Sequence, residues 1–401
     1  MLKKNKKVRS LEKGNCFGEW ALISNKPRSA TVQAKDECIL YSLTKSDFIQ
    51  IFNQNILDYL RNKMALEDNF QMSLDDFYFC KTLGQGKYGS VSLVHNNNNF
   101  YAIKAVSKQS AEKQKILIKY FLDERKVLLE IDHTFIMKLV RTFKNKDYVF
   151  FLTGFIDGEV FGKYLDNRKQ PFRNKTETQF YIAFLFIILD YLNSRHIIHR
   201  DLKPDNMIIN TKGYLNLIDF GTAKVIKDFT STTTGTPHYI GPEVLMGKGY
   251  SFYCDYWSVG IIAFKIYYNK FPFGDGAEEP LQVYKEVLNK ELSLPSIGDK
   301  TMNSFLKALL QKKVNKRMCS LDLAKKHPFY KGFVWDYLIN YRMQCNYIPK
   351  GTTLKNFSEY KEKYVDYLKK IKKSGKAEYM LGSYEDGEDY GTFPKNWADQ
   401  F

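Results

Sequence analysis

With 401 residues and 44% apolar composition, the chain is long enough to bury one large core or two ordinary ones, and disorder is excluded as its general state. A formal charge of +17 is compatible with nucleic acid, an anionic membrane or a solvated basic surface; we start from the solvated surface and expect no nucleic-acid partner. Six scattered cysteines without CxxC or CxxH spacing argue against a zinc site and a compact disulfide framework, which points to a reducing, cytoplasmic setting. The opening MLKKNKKVRS has no apolar stretch behind it, and the longest apolar run, 180–189, is about half the ~20 residues that span a bilayer, so neither a signal peptide nor a membrane span is expected.

In chain order, residues 1–52 alternate short β-prone stretches, 30–33 and 39–43, with glycine and proline turns, and shift to a helical pattern near Ser46. Residues 1–55 therefore look like the end of a β domain. The helical spacing of ILDYLRNKMALEDNF at 56–70 predicts a linker helix within 56–76. From Phe77 to Lys104 the pattern is strand, glycine turn, strand, with Asn96 to Asn99 at a hairpin tip. Beyond Leu165 the pattern turns helical, and 177–192 is apolar nearly all round, which predicts a buried helix. The fold class is α+β: a β-rich small lobe and a larger helical lobe over 77–330. After 331 the chain is rich in Lys and Tyr, with LKKIKKSGK at 368–376 and an acidic run at 385–389. That region, to 401, is expected to be an irregular tail wrapped on the core or partly disordered.

Gly84, Gly86 and Gly89 in LGQGKYGSV lie between β-prone segments, where absent side chains let backbone amides approach phosphate oxygens. Alone this pattern is equally a hairpin turn; the strand that continues through Val91 disfavours a dinucleotide fingerprint, which needs a helix there. YAIK then places Lys104 on the strand beyond the turn, and Glu124 sits in the helical stretch 119–130, where it can hold that ammonium by an ion pair. HRDLKPDN at 199–206 supplies a carboxylate, a cation and a metal-binding amide in one loop. DFG at 219–221 adds a second metal carboxylate, and GPE at 241–243 closes a threonine-rich segment.

These residues, in this order, resemble the eukaryotic protein kinase family, with its bilobal fold. The resemblance implies that Asp201 orients and deprotonates a substrate hydroxyl, Lys203 steadies the transferred phosphate, and Asn206 and Asp219 hold Mg2+ beside ATP. It also implies that Val91, Ala102 and Ile208 flank adenine, with Leu83, Thr153, Phe155 and Glu159 completing the nucleotide-binding set around Gly84, Gly86, Gly89 and Lys104. Leu128, Leu139, His199 and Phe220 form a second apolar column, in which His199 packs and is not a base. Lys203, together with Thr236, matches the serine/threonine pattern, and the complete catalytic set argues against an inactive pseudokinase.

Three further stretches resemble the AGC-type, cyclic-nucleotide-regulated branch, most of all cGMP-dependent protein kinases. NYIPKGTTLKNFSEY at 346–360 resembles its tail, where the aromatic-acidic motif at 357–360 runs across the nucleotide cleft. NWADQF, with Trp397 and Phe401, resembles its terminal hydrophobic motif. FGEWALISNKPRSATV at 17–32 resembles a cyclic-nucleotide cassette. In such a cassette Glu19 accepts from a ribose hydroxyl, Arg28 pairs with the cyclic phosphate, and amides around Gly18 add donors. Ser29 offers a hydroxyl where cAMP-selective sites carry alanine, which favours cGMP as the regulator. The alternatives are a cAMP-responsive or constitutively active AGC kinase, or a nucleotide sensor whose kinase lobe is a scaffold.

The resemblance carries further expectations. Thr232 lies where the family carries its activating phosphothreonine, with Thr230, Thr233 and Thr234 beside it and Arg200 and Lys224 as partners for the phosphate. Glu159 and Asp205 match acids that meet basic residues upstream of the phosphoacceptor. Lys265 stands where basophilic relatives carry glutamate, so one upstream arginine is expected to be retained and a second lost. Thr222 after DFG resembles kinases that favour threonine acceptors. The resemblance makes residues 1–55 a partial cyclic-nucleotide-binding domain, a partial β-roll; because only sixteen residues precede Phe17, room for at most two or three short strands, weak cyclic-nucleotide affinity and activity without nucleotide are expected unless further sequence or a regulatory subunit completes the roll. The insert at 361–392 carries no functional assignment, and its lysine run is expected to be solvated and not lipid-bound.

Overall fold

The computed structural model describes residues 2–3, 6–7, 17–18, 31–47, 72–86, 89–113, 115–168, 174–232, 234–295, 299–345, 347–352, 354, 356–373 and 397–401. They fall into two compact units, 1–72 with 129–132, and 73–128 with 133–401. In the first unit Leu2–Lys3 pairs antiparallel with Lys6–Lys7, Thr31 forms an isolated bridge, and one helical turn covers 45–47. The expected strand at 39–43 is not formed: Ile39, Leu40 and Tyr41 are exposed and in no ladder. β-branched and aromatic residues favour a strand only where a neighbour and a buried face exist, and the described residues offer 39–43 neither. The expected linker helix at 56–70 lies outside the described residues.

The second unit opens with a five-stranded antiparallel sheet: β1 (Tyr78–Gly86), β2 (Gly89–Asn96), β3 (Asn99–Ser107), β4 (Leu139–Lys144) and β5 (Tyr148–Gly154), in the order β1-β2-β3-β5-β4. Asn97 and Asn98 turn the β2–β3 hairpin with φ of 45° and 62°, the left-handed pair that asparagine tolerates. Gly89 answers a different need from phosphate binding: a Cβ there would lie 2.1 Å from the Ala105 carbonyl oxygen, so only glycine lets β2 start against β3. Helices α1 (Lys108–Lys113) and α2 (Lys115–Glu130) follow β3.

Beyond β5 come β6 (Gly158–Val160), α3 (Phe161–Asp166) and α4 (Lys175–Asn193). Asn174 caps α4 by accepting from the Thr176 amide at 3.0 Å, and every residue from Phe180 to Leu189 is buried, as an all-round apolar helix requires. Short strands β7 (Ile197–Ile198), β8 (Met207–Asn210), β9 (Leu215–Leu217) and β10 (Lys224–Val225) pair as β9-β8-β6 and β10-β7. The helical layer is completed by α5 (Pro242–Leu245), α6 (Tyr253–Tyr268), α7 (Pro280–Asn289), α8 (Lys300–Leu309), α9 (Leu321–Lys326) and α10 (Trp335–Ile339). A sheet-built small lobe and a helical large lobe are thus present.

The tail departs from the expected irregularity. Residues 364–373 form a helix, α11 (Tyr364–Lys373), whose Tyr364 and Leu368 are buried. Just before it, the Phe79 amide donates to the Glu362 carbonyl (2.8 Å) and the Tyr364 amide to the Phe77 carbonyl (2.9 Å), so the tail covers the open edge of β1. Tyr367 stacks on Phe79 at 3.6 Å. Lys369, Lys370 and Lys372 pair with Asp366, Glu362 and Asp147, which draws three of the lysines in the basic run into contacts within the chain. Exposed pairs of this kind contribute little; burial of Tyr364 and Leu368 holds the helix. At the end of the chain Trp397 is buried and Phe401 meets Phe151 edge-on at 5.2 Å, with Asp399 paired to Lys144 at 2.6 Å.

Candidate active site

The sheet register places the small-lobe residues. Lys104 pairs with Val91 and Phe151, and Ala102 with Thr153, so Val91, Ala102, Lys104 and Thr153 share one face of the sheet. The Thr153 hydroxyl donates to the Ala102 carbonyl at 3.3 Å. Val91 and Ala102 are only half-buried, as is Ile208 of β8, while their neighbours Leu93, Ile103 and Ile209 are fully buried. Leu83 on β1 is exposed, Gly84 has no atom within 4 Å of where a Cβ would stand, and Gly86 ends β1. Phe155 follows β5 and meets Phe100 edge-on at 6.4 Å; Phe100 in turn stacks on Phe357 of the tail at 4.7 Å. The aromatic-acidic motif is thereby tied to β2 and β3, with Tyr360 5.6 Å from His95.

Lys104 reaches across to α2, where its ammonium lies 2.8 and 2.9 Å from the two oxygens of the buried Glu124, and 3.9 Å from Asp219. Burial works against its charge, but the Glu124 and Asp219 carboxylates outweigh that penalty and hold the ammonium above its ordinary value. Asp219 has φ of 65° and accepts from the Gly221 amide at 3.0 Å. Its depth in the cleft opposes ionisation, yet Lys104 first, then the Gly221 amide, His199 and Lys203, bring the carboxyl below its usual range. Half of that side chain is exposed, so an ionised group opens onto the cleft.

The loop after β7 carries the second cluster. Lys203 lies 2.9 Å from Asp201 Oδ2 and donates to the Thr236 hydroxyl at 2.7 Å, while Thr236 donates from its amide (2.9 Å) and hydroxyl (2.7 Å) to Asp201 Oδ1. Asn206 donates to the Asp201 carbonyl (2.9 Å) and to Oδ2 (3.2 Å); its nitrogen end is committed, which leaves the oxygen end for a cation. The Ile218 amide donates to the Asn206 carbonyl at 2.9 Å, so this loop and the approach to Asp219 run side by side. Among the described residues no three His, Cys, Asp or Glu side chains cluster as a metal cage. Asn206 and Asp219 supply hard oxygen donors, the set that suits Mg2+ completed by phosphate and water.

The residue that holds this loop stands outside the motifs read from the sequence. Arg200 has φ of 69°, a strained value for a non-glycine residue, and the fully buried Asp255 of α6 accepts from the His199 and Arg200 amides, each at 2.8 Å. A lone Asp inside an all-round apolar helix was the signal, since a buried carboxylate needs partners. His199 itself is fully buried with its ring 5.1 Å from Phe220, and Leu128 and Leu139 are buried as well. Burial outweighs Asp255, Asp201 and Asp219 and keeps the His199 imidazole below 6.5.

The threonine-rich segment is held by contacts to its backbone groups. Thr230 exchanges backbone hydrogen bonds with Tyr250 (2.9 and 2.8 Å), the Tyr250 hydroxyl donates to the Thr232 carbonyl at 2.5 Å, and Arg200 Nε donates to the Thr222 carbonyl at 2.6 Å. The Thr222 hydroxyl donates to the His199 carbonyl at 3.0 Å. Burial, then the cations of Lys119 and Arg200, push the Lys224 amine below its ordinary value. Thr233 lies outside the described residues.

Of the residues expected to meet substrate, Glu159 on β6 is half-buried and accepts from the Tyr347 hydroxyl, Asp205 is exposed, and Lys265 lies 3.6 Å from Asp166 and 4.9 Å from the Phe271 ring centre. Of the nucleotide cassette, Gly18 has φ of 89°, and Glu19, Arg28 and Ser29 lie outside the described residues.

Comparison with known proteins agrees with this arrangement. Residues 77–330 match the family described as protein kinase domain, and residues 2–55 match the cyclic nucleotide-binding domain. The cGMP-dependent protein kinase of Toxoplasma gondii is 35% identical over 366 residues, 88% of this chain and 36% of the relative. That of Plasmodium berghei (strain Anka) is 35% identical over 364 residues, 88% of this chain and 42% of the relative. The cAMP-dependent protein kinase type 3 of Saccharomyces cerevisiae is 34% identical over 307 residues, 74% of this chain and 75% of the relative. The chain thus spans well under half the length of the cGMP-dependent relatives it matches. With its catalytic-domain match covering more than half of its length and its lysine, glutamate and aspartates brought into one cleft, the chain belongs to the protein kinase family.

Proposed function

We propose that the chain transfers the γ-phosphate of ATP to serine and threonine hydroxyls of proteins, with Mg2+, in cytoplasmic cGMP signalling. The observation that carries this is the unbroken line from Glu124 through Lys104 to Asp219 (2.8 and 3.9 Å), beside Asp201 held by Thr236 and Lys203. Phosphoryl transfer asks for positioning and charge neutralisation more than covalent help. Lys104, pinned by Glu124, orients the phosphates; Asn206 and Asp219 offer oxygen donors to the cation, which when bound neutralises charge on the phosphate oxygens. Asp201, fixed by two donors on Oδ1, would orient the acceptor hydroxyl and take its proton. Lys203 links Asp201 to Thr236 and would steady the transferred group.

Glu159 and Asp205 support a preference for substrates with an upstream basic residue, and Lys265 supports loss of a second one; Thr222 supports threonine over serine. Regulation by cGMP is supported by the match at residues 2–55, by Ser29 beside Arg28, and by the names of the relatives. The five free thiols among the described residues support a reducing compartment. The test is phosphate incorporation into serine and threonine peptides carrying upstream arginine, with Asp219→Ala as control, in the absence and presence of cGMP and of cAMP. Incorporation lost in Asp219→Ala is expected, with greater response to cGMP than to cAMP. Incorporation absent from the wild type would overturn the enzyme reading in favour of a scaffold, and a response to cAMP alone would overturn the cGMP assignment.

A further inference from the structure

The tail segment ahead of the aromatic-acidic motif is laid on β6 and α3 by a set of specific contacts. Tyr214 and Met343 exchange hydrogen bonds at 2.8 and 3.0 Å, and the Thr352 amide donates to Asp157 Oδ1 at 2.7 Å. Between these anchors the Tyr347 ring stacks on Tyr164 at 4.1 Å with planes 23° apart, and its hydroxyl donates to Glu159 Oε2. Burial, then Glu159, push the Tyr347 hydroxyl up to about 12, so it remains a proton donor at any working pH. Glu159 lies one position from Ile208's β6 partner, Val160, at the mouth of the cleft.

We propose that Tyr347 is a specificity-determining residue for the phosphoacceptor peptide: its hydroxyl occupies the Glu159 oxygen that an upstream substrate guanidinium would take. This rests on Glu159 acting as the arginine acceptor, as stated under Proposed function. Its physical content is competition. In the free protein the carboxylate already holds one donor; an arginine that takes both carboxylate oxygens must displace it and then leaves the phenol hydroxyl to water. The discrimination for arginine over a neutral residue is therefore smaller than an unoccupied carboxylate would produce. Phenylalanine at 347 keeps the stack on Tyr164 and removes only the donor.

The test uses two peptides that differ only in an upstream arginine or glutamine, with the full chain as wild type, Tyr347→Phe, Glu159→Gln and the double variant. Peptide binding is measured by calorimetry without nucleotide, and KM for each peptide and for ATP by phosphate incorporation. Tyr347→Phe is expected to lower Kd and KM for the arginine peptide by about three- to tenfold, the worth of one hydrogen bond, and to leave the glutamine peptide unaffected. Glu159→Gln abolishes the discrimination, and the double variant behaves as Glu159→Gln. Equal effects on both peptides, an altered KM for ATP in place of the arginine peptide, or weaker arginine binding by Tyr347→Phe would each overturn the proposal. Absence of phosphate transfer by the wild type would refute the proposed enzyme instead, and the calorimetric arm would still decide the role of Tyr347.

Discussion

Replacing Arg317 by methionine tests what fixes the end of the activation segment. The Arg317 side chain is fully buried and meets Glu243 through two hydrogen bonds of 2.6 and 2.8 Å; it also donates to the Tyr253 carbonyl (2.9 Å) and the Gln311 carbonyl (3.0 Å), with the Trp257 ring centre 5.1 Å from its guanidinium. Methionine preserves much of the volume and removes all of these donors, leaving the Glu243 carboxylate and two carbonyls buried without them. Breaking a buried pair by removing one partner costs about 3–5 kcal/mol, whereas removing both partners is often close to neutral. At roughly 2–4 °C per kcal/mol for a domain of this size, Tm should fall by roughly 6–20 °C. Because Glu243 lies in α5, next to the segment that carries Thr236, kcat should fall along with stability. The assay is thermal and urea unfolding of wild type, Arg317→Met and Glu243→Met/Arg317→Met. A single variant that loses less than about 1 kcal/mol, or a double variant no more stable than the single one, would refute the account of the pair as a mutually dependent buried couple.

Three further expectations follow from the same contacts. His95, His199 and His327 are each held below 6.5, burial being the largest cause; the unfolded chain therefore binds more protons below pH 6.5, and stability present above that value is lost as pH falls, by at most about 1.4 kcal/mol per pH unit per histidine. Urea midpoints at pH 7.5 and 5.5 should differ accordingly and His199→Phe should reduce the difference, so a flat profile contradicts the burial argument. Burial first, then the like charges of Lys119 and Arg200, depress the Lys224 amine; phosphate on Thr232 would offset the second of these, and Thr232→Ala should reduce kcat by about ten- to a hundredfold, the worth of one charge-assisted hydrogen bond; unchanged kcat in protein phosphorylated elsewhere would reject the site. Lys265→Glu should create a preference for a second upstream arginine on a peptide array, and an unaltered profile would show that Lys265 does not face the substrate.

Much of the cleft was legible because its residues come in short runs whose chemistry is set locally. The turn at Gly84 to Gly89, Lys104 on the next strand and the HRDLKPDN loop each declare a role within a few residues. The structure then adds only their convergence, such as Thr236 donating twice to Asp201 across 35 positions. What stayed hidden lacks a local signal. Arg317 sits in VNKRM, an unremarkable basic turn, and its partner lies 74 positions away. Tyr347 is one tyrosine among many in the tail, and its contact with Glu159 spans 188 positions. The helix α11 was obscured by the density of lysine in LKKIKKSGK: its apolar side, Tyr364, Tyr367, Leu368 and Ile371, keeps helical spacing but is split by that lysine run. Residues 39–43 erred the other way, since β propensity names a surface that suits a sheet without providing the neighbouring strand.

On the proposed reading of substrate choice, the two charged groups concerned are already engaged within the chain. Lys265 is satisfied by Asp166 and the face of Phe271, and Glu159 is satisfied by Tyr347, so each charged group already has an internal partner. An arginine-bearing peptide would then gain at Glu159 only the difference between its own contact and the one it displaces, while Lys265 would repel a second arginine by like charge. Discrimination of this kind at Glu159 would act by competition, and it would leave the line from Glu124 to Asp219 untouched. The tail that supplies Tyr347 also closes the edge of β1 through Glu362 and Tyr364 and packs Phe357 on Phe100. On the proposed reading, substrate selectivity and small-lobe stability draw on one continuous segment, so changes in the tail should alter peptide choice and nucleotide-lobe order together.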